Sequence, residues 1–272
     1  MATDQQQQQQ EQQPGNQALT LFDLPSRPPL KCWSLNPWKT RLLLNYKGIP
    51  YKTEWLEYPA IRPRLSPHLP PLANTSSPHD AQYTIPTITL PNGNPDGTES
   101  YIMDSLKIAH ALEERYPDPP LRMDSPYLTK LVNEKDGLMA PLRAAMFGNF
   151  VARVPEVLLN EASIPYWEET RNKRVGMPIK EYEALHGGKA GFEAAGRGGM
   201  KEVTAMLKEH PEGPFFEGKE VGYADFVWAG FLLFLKRGGE DLYEGAVEVS
   251  GDRSVHDALL EAVRPWAERD DH

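Results

Sequence analysis

Ser34 stands at a loop-to-helix junction, Cys32-Trp33-Ser34-Leu35-Asn36-Pro37-Trp38-Lys39. The first turn of a helix leaves N–H groups unpaired and carries a partial positive charge, so an anion beside it is favoured. A hydroxyl donating to a thiol there stabilises the thiolate, because the charged acceptor gains more from the bond. The plainer reading is that Ser34 and Asn36 only cap the helix. A second pair, Asp104-Ser105, lies between a strand and a helix. The helix start at Ser105 suits a carboxylate and Asp104 can accept from an ammonium group, although an N-cap pair accounts for the same residues. Between them in the chain, Ile85-Pro86 opens a strand where the missing donor of proline is tolerated. Asp225, three residues after Gly222, has capping-box spacing and concerns folding rather than chemistry.

The elements that must hold these residues are legible as periodicities. Ala18 to Leu24 alternates apolar and polar as a strand does. After a proline-rich loop, Pro25 to Leu30, a helix is predicted with Asn36 as N-cap and Pro37 at its first position. Gly48 supplies a left-handed stop and Pro50 forbids continuation. A second strand follows over Tyr51 to Glu57, then a proline-rich stretch, 59–79, expected to be loop with at most a short helix. Thr84 to Leu90 and Gly97 to Met103 form a hairpin around the turn residues 91–97. Ile108, Ala109, Leu112 and Tyr116 share a helix face that Pro117 ends. Beyond it the chain is helical, with helices expected over much of 125–150, 163–184, 190–210, 223–237 and 253–269. Glycine-rich patches at 187–199 and 237–245 are expected to separate some of them.

The domain reading is therefore a disordered glutamine-rich tail at 1–17, an α/β domain at 18–118 and an all-helical domain at 124–272. A formal net charge of -9 argues against a nucleic-acid binder and, weakly, against anionic membranes. Cys32 is the one cysteine, so no internal disulfide or cysteine metal cluster forms and a reducing compartment fits. Met1 to Gln17 lacks the apolar core of a signal peptide, and the longest apolar run, Phe226 to Leu235, is about half a bilayer span. A cytoplasmic location without membrane attachment is expected.

The order strand, Ser34 helix, strand, Ile85-Pro86, hairpin, Asp104-Ser105 helix and helical domain resembles the cytosolic glutathione transferase family over about residues 19 to 269. Trp33 to Arg41 with Asn45 to Tyr51 is similar, more narrowly, to its fungal, β-etherase-related branch. Members of that branch sit in lignin-aromatic metabolism and in toxin or pigment gene clusters, ustiloxin-type enzymes among them. The resemblance implies a thioredoxin-like N-terminal domain with a cis proline at Pro86, and an all-helical C-terminal domain. It implies glutathione as co-substrate, no metal, a small hydrophobic electrophile and a homodimer. Ser34 would activate the thiol, with Asn36 as a second candidate. Ile85 would contact the cysteinyl backbone, Asp104 and Ser105 the γ-glutamyl end, and Lys39 the glycine carboxylate. Gly222 replaces the usual Ser or Thr of the capping box, which is expected to weaken it. The electrophile is expected between the domains, against the loop from Pro25 to Lys31 and helices after 125; Met139, Phe147 and Tyr166 are equally readable as core. Three alternatives stay open: glutathione-dependent ether cleavage or isomerisation, a thiol-transferase built on Cys32, and a non-catalytic binding or regulatory protein.

Overall fold

The computed structural model describes residues 18–271 apart from Leu30, 73–81 and Pro95. The glutamine tract lies outside the described residues, as do parts of 59–79 and 91–97. The chain opens with β1 (Leu19–Asp23), all five residues buried. Next come α1 (Leu35–Tyr46), β2 (Tyr51–Trp55) and a short α2 (Tyr58–Leu65). The hairpin of β3 (Thr87–Leu90) and β4 (Ser100–Met103) then leads into α3 (Ser105–Arg115). The sheet order is β2-β1-β3-β4, with β1 parallel to β2 and the other pairs antiparallel. Parallel neighbours need a crossover, and α1 is that crossover. This is a thioredoxin-like layer.

The helical half comprises α4 (Pro126–Val132), α5 (Met139–Phe150), α6 (Arg153–Val157), α7 (Ile164–Val175) and α8 (Ile179–His186). It continues with α9 (Gly188–Leu207), α10 (Tyr223–Gly238), α11 (Glu240–Val249) and α12 (Arg253–Ala267). The two glycine-rich patches expected as separators lie mostly inside helices. Gly187, at φ +87°, does turn the chain, but α9 starts at the next residue. A Cβ on Gly191 would fall 1.7 Å from the His186 carbonyl oxygen and 2.2 Å from Asn149 Oδ1, so glycine serves close packing there. In the second patch Gly239, at φ +148°, separates α10 from α11, and the rest of the patch lies in those two helices; the buried Leu242, Tyr243, Ala246 and Val247 of α11 form one apolar face. Burial of that face offsets the cost of about 1 kcal/mol for a glycine within a helix.

One core spans both halves. Phe226, Trp228 and Phe231 of α10 are fully buried, and α10 crosses α1 at Gly230. A Cβ there would lie 3.0 Å from the Leu35 carbonyl oxygen and 3.3 Å from Lys39 Cγ, so a larger residue would displace the helix that carries Ser34. Tyr46 of α1 sits edge-on to Phe226 and Trp266, at centroid distances of 5.5 and 5.0 Å. The C-terminal segment returns to the first layer, where the Asp270 carbonyl accepts from the Cys32 N–H at 2.7 Å and the Trp266 carbonyl from Asn45 Nδ2 at 2.6 Å.

Asp225 ties the start of α10. It is 1% exposed and accepts from the Gly222 N–H at 2.8 Å and the Phe216 N–H at 2.9 Å. Glycine has no side chain to return the bond, so only the carboxylate half of the box exists; a Cβ on Gly222 would meet the Leu121 carbonyl oxygen at 3.3 Å. Burial pushes the Asp225 carboxyl up to about 7, against the pull of those two donors. Asp225→Ala would strand two buried N–H groups and remove the cap, a loss of about 2–4 kcal/mol. A fall in Tm of about 5–15 °C is expected in calorimetric melting, and a fall below about 2 °C would deny Asp225 this part.

Candidate functional site

The N-cap of α1 is Ser34 rather than Asn36, and Pro37 falls in the first turn instead of at its first position. The shift is tolerated because N–H groups throughout that turn lack intrahelical partners, so proline forfeits nothing. Ser34 is extended, at φ −76° and ψ 139°, and its hydroxyl makes no cap bond. It lines a cavity of about 470 Å³ between α1, α2 and α7. Asn36 directs Oδ1 to Lys39 Nζ at 2.9 Å, which leaves its amide N–H groups to donate elsewhere.

The Ile85-Pro86 peptide bond is cis. Ile85 and Thr84 line the Ser34 cavity and also a second one of about 400 Å³, so the two adjoin along this strand start, with Asn36 common to both. Asp104 and Ser105 line the second cavity. Asp104 holds φ +90° and ψ 125°, outside the regions an L-residue prefers, at a cost of about 1–3 kcal/mol. Its Oδ1 accepts from the Leu106 and Lys107 N–H groups at 2.9 and 3.1 Å, and its own N–H reaches the Pro86 carbonyl at 3.3 Å. That cap holds the turn and leaves the other carboxylate oxygen to meet a ligand. The Ser105 carbonyl accepts from Tyr223 of α10 at 2.8 Å, so the helical half braces this turn from behind.

Lys39, for which the resemblance implied a glycine carboxylate, lines the Asp104 cavity and is only 5% exposed. Burial, with the Arg143 cation nearby, pulls its ammonium down to about 7, and Asp104 opposes the shift. Arg143 lines the same cavity from α5, and burial lowers its guanidinium as well, with Asp104 opposing. No sequence signal marked Arg143, because the charged groups it faces, Asp104 and Lys39, lie far from it in the chain.

The described residues of the loop from Pro25 to Lys31 line neither cavity. Arg27 ties it to α6 and the residues after it, donating from Nε to the Leu159 carbonyl at 2.7 Å and from Nη2 to the Pro155 carbonyl at 2.9 Å. Tyr166 and Met139 do line cavities, one each, whereas Phe147 lies under the Arg174 guanidinium at 4.7 Å. Cys32 is fully buried beside the Arg41–Asp23 ion pair, and burial with the Asp23 charge raises its thiol well above the ordinary value. Such a sulfur is neither exposed nor ionised. Among the described residues no group of three His, Cys, Asp or Glu side chains could hold a metal ion, and no helix is long and apolar enough to cross a membrane.

A thioredoxin-like layer whose cis proline faces an all-helical half defines the glutathione transferase class. The N-terminal domain model of glutathione S-transferases matches residues 33–115 and the C-terminal domain model residues 137–266. The chain belongs to the glutathione S-transferase family. It is 32% identical over 258 residues to the glutathione S-transferase-like protein ustS of Aspergillus flavus, covering 92% of this chain and 91% of that one. Among solved structures it is similar to glutathione transferase GSTFuA3 of Phanerochaete chrysosporium, with 26% identity, TM-score 0.70 and 92% and 97% of the two chains covered. It is also similar to CsGST83044 of Ceriporiopsis subvermispora, solved in complex with glutathione, with 25% identity, TM-score 0.74 and 91% and 98% covered.

Proposed function

We propose that this protein binds glutathione across the two adjoining cavities and uses the Ser34 hydroxyl to hold its sulfur as thiolate for attack on an electrophilic carbon. One observation carries the reading: Asn36, Thr84 and Ile85 line both cavities, so a single extended tripeptide can span them. Its γ-glutamyl end then meets Asp104 and Ser105, and its thiol meets a Ser34 hydroxyl that the helix has not used for capping. Attack forms the carbon–sulfur bond, the leaving group departs with its electron pair, and the thiol proton passes to solvent. The burial of Cys32 speaks against a mixed-disulfide mechanism. Calorimetric titration with glutathione, followed by conjugation assays with an activated aryl halide, tests the reading; no heat of binding at millimolar glutathione would end it.

Lys39 serves the γ-glutamyl carboxylate in this scheme, and a pH dependence follows. In the free protein its ammonium titrates at about 7, and a carboxylate placed beside it favours the protonated form. Binding above neutrality must therefore take up a proton, and affinity falls as pH rises from 7 to 8.5. S-methylglutathione is the suitable probe, since it has no thiol proton to release. Calorimetry at pH 8 in two buffers of different ionisation enthalpy should show proton uptake that Lys39→Gln abolishes, together with a loss of about tenfold in affinity. Identical heats in the two buffers would remove Lys39 from the site.

A further inference from the structure

The Ser34 cavity carries a charge imbalance that glutathione alone does not explain. Three guanidiniums line it, Arg62 of α2 with Arg171 and Arg174 of α7, and among the described residues no Asp or Glu does. The chain as a whole has nine more acidic than basic residues, so carboxylates are not scarce. None of the three arginines forms a salt bridge among the described residues, while Arg41, Arg64, Arg122, Arg153, Arg237, Arg253 and Arg264 all do. Arg171 is instead laid against aromatic faces, 3.8 Å from the Trp167 ring centroid and 5.1 Å from that of Tyr58. Its polar partners are neutral hydroxyls, that of Thr170 at 2.7 Å from Nη1 and that of Tyr58. Arg174 likewise packs on a ring, that of Phe147. Tyr58 and Tyr166 are stacked at 6.0 Å and 14° beside them and line the same cavity.

The proposed glutathione pose accounts for part of this charge. Its γ-glutamyl carboxylate and ammonium lie in the other cavity, which leaves the glycine carboxylate and the thiolate here. The thiolate has Ser34 and Asn36. The glycine carboxylate has Arg62, which belongs to the thioredoxin-like layer and shares this cavity with Gln82 and Tyr83. Arg171 and Arg174, both from the helical half, then have no glutathione charge to meet. Ring faces hold a guanidinium in place without neutralising it, and a planar fork so held is prepared for bidentate binding of a carboxylate. Burial already lowers the Arg171 guanidinium, so an arriving anion relieves a standing cost.

Resting on the glutathione reading above, we infer that the second substrate is an aromatic carboxylate, its ring against Tyr58 and Tyr166 and its acid group on Arg171 and Arg174. The pocket thus selects an anionic electrophile where a neutral apolar one would suffice for the chemistry. The test compares 4-chloro-3,5-dinitrobenzoate with its methyl ester. In both, the glutathione sulfur bonds to the ring carbon and chloride leaves with the bonding pair. With each kcat/KM divided by the uncatalysed rate constant, the acid is expected to be preferred by about tenfold or more. Raising NaCl from 0.05 to 0.5 M should shrink that preference. Arg174→Gln and Arg171→Gln should each reduce it severalfold, and Arg171→Lys, which restores the charge if not the fork, should recover part of it. Equal preference in the unmodified protein would overturn the inference. So would variants that lose glutathione affinity in step with the acid, because the arginines would then serve the glycine carboxylate. A parallel calorimetric titration of the protein, with and without glutathione, uses unreactive 3,5-dinitrobenzoate and its methyl ester. About tenfold tighter binding of the acid sustains the anion site even where neither chloro compound is turned over, an outcome that removes only the transferase reading. Equal affinities sink the anion site whatever the turnover.

Discussion

Ser34→Ala is expected to lower kcat/KM for an activated aryl halide at pH 6.5 by about 10- to 150-fold, the equivalent of one hydrogen bond to a charged acceptor, about 1.5–3 kcal/mol. A thiol with a pKa of about 8.5 is only a few per cent ionised at pH 7, and making most of it reactive takes about two pKa units, or about 2.7 kcal/mol. A hydroxyl donor with the terminus of α1 matches that need, because the terminus adds about 0.3–1 kcal/mol. The effect has a signature beyond its size. The apparent thiol pKa in the complex should rise by about one to two units, so the deficit shrinks as the assay moves from pH 6.5 towards 9. The fold should be untouched, since the Ser34 hydroxyl caps nothing. Full activity of the variant at pH 6.5 would transfer the role elsewhere, with Asn36 the next candidate, and Asn36→Ala under the same assay decides that.

Arg41→Met should produce the largest loss of stability of any single change considered. Arg41 and Asp23 are both fully buried, with Nη2 and Oδ2 2.9 Å apart. The same Nη2 reaches Thr53 Oγ1 at 3.1 Å, Nη1 reaches the Tyr51 hydroxyl at 3.2 Å, and Asp23 Oδ1 accepts from the Leu24 N–H at 2.7 Å. Removing the guanidinium leaves a buried carboxylate uncompensated, which costs about 3–5 kcal/mol. That corresponds to a fall in Tm of about 6–20 °C for a chain of this size. The double variant Asp23→Asn/Arg41→Met removes both charges together and should regain much of the loss. A melting shift under about 3 °C for Arg41→Met would mean that the pair is dispensable. The consequence reaches function, because the pair joins the end of β1 to α1 and so fixes the helix whose first turn presents Ser34.

Much of the layer around Ser34 was readable from local patterns, since each rests on forces acting within a few residues. Alternation marked β1, Gly48 and Pro50 marked the end of α1, and the turn residues 91–97 marked the hairpin. Asp104-Ser105 was legible for the same reason, a helix start being a local event. Local rules also misled where competing local options differ by little. Asn36 and Ser34 are both good caps, and the choice fell to Ser34 while Asn36 bonded Lys39 three residues on. In α11, burial of an apolar face on the rest of the helical half outweighed the helix-breaking cost of Gly245. Long-range packing alone decided the rest. Lys39 acquires its lowered ammonium only when α10 and α5 enclose it, and Arg62 meets Arg171 and Arg174 only because α7 packs on α2. Those residues stand over a hundred positions apart, and a charge cluster assembled across such a distance leaves no periodicity, spacing or cap by which a single chain could announce it.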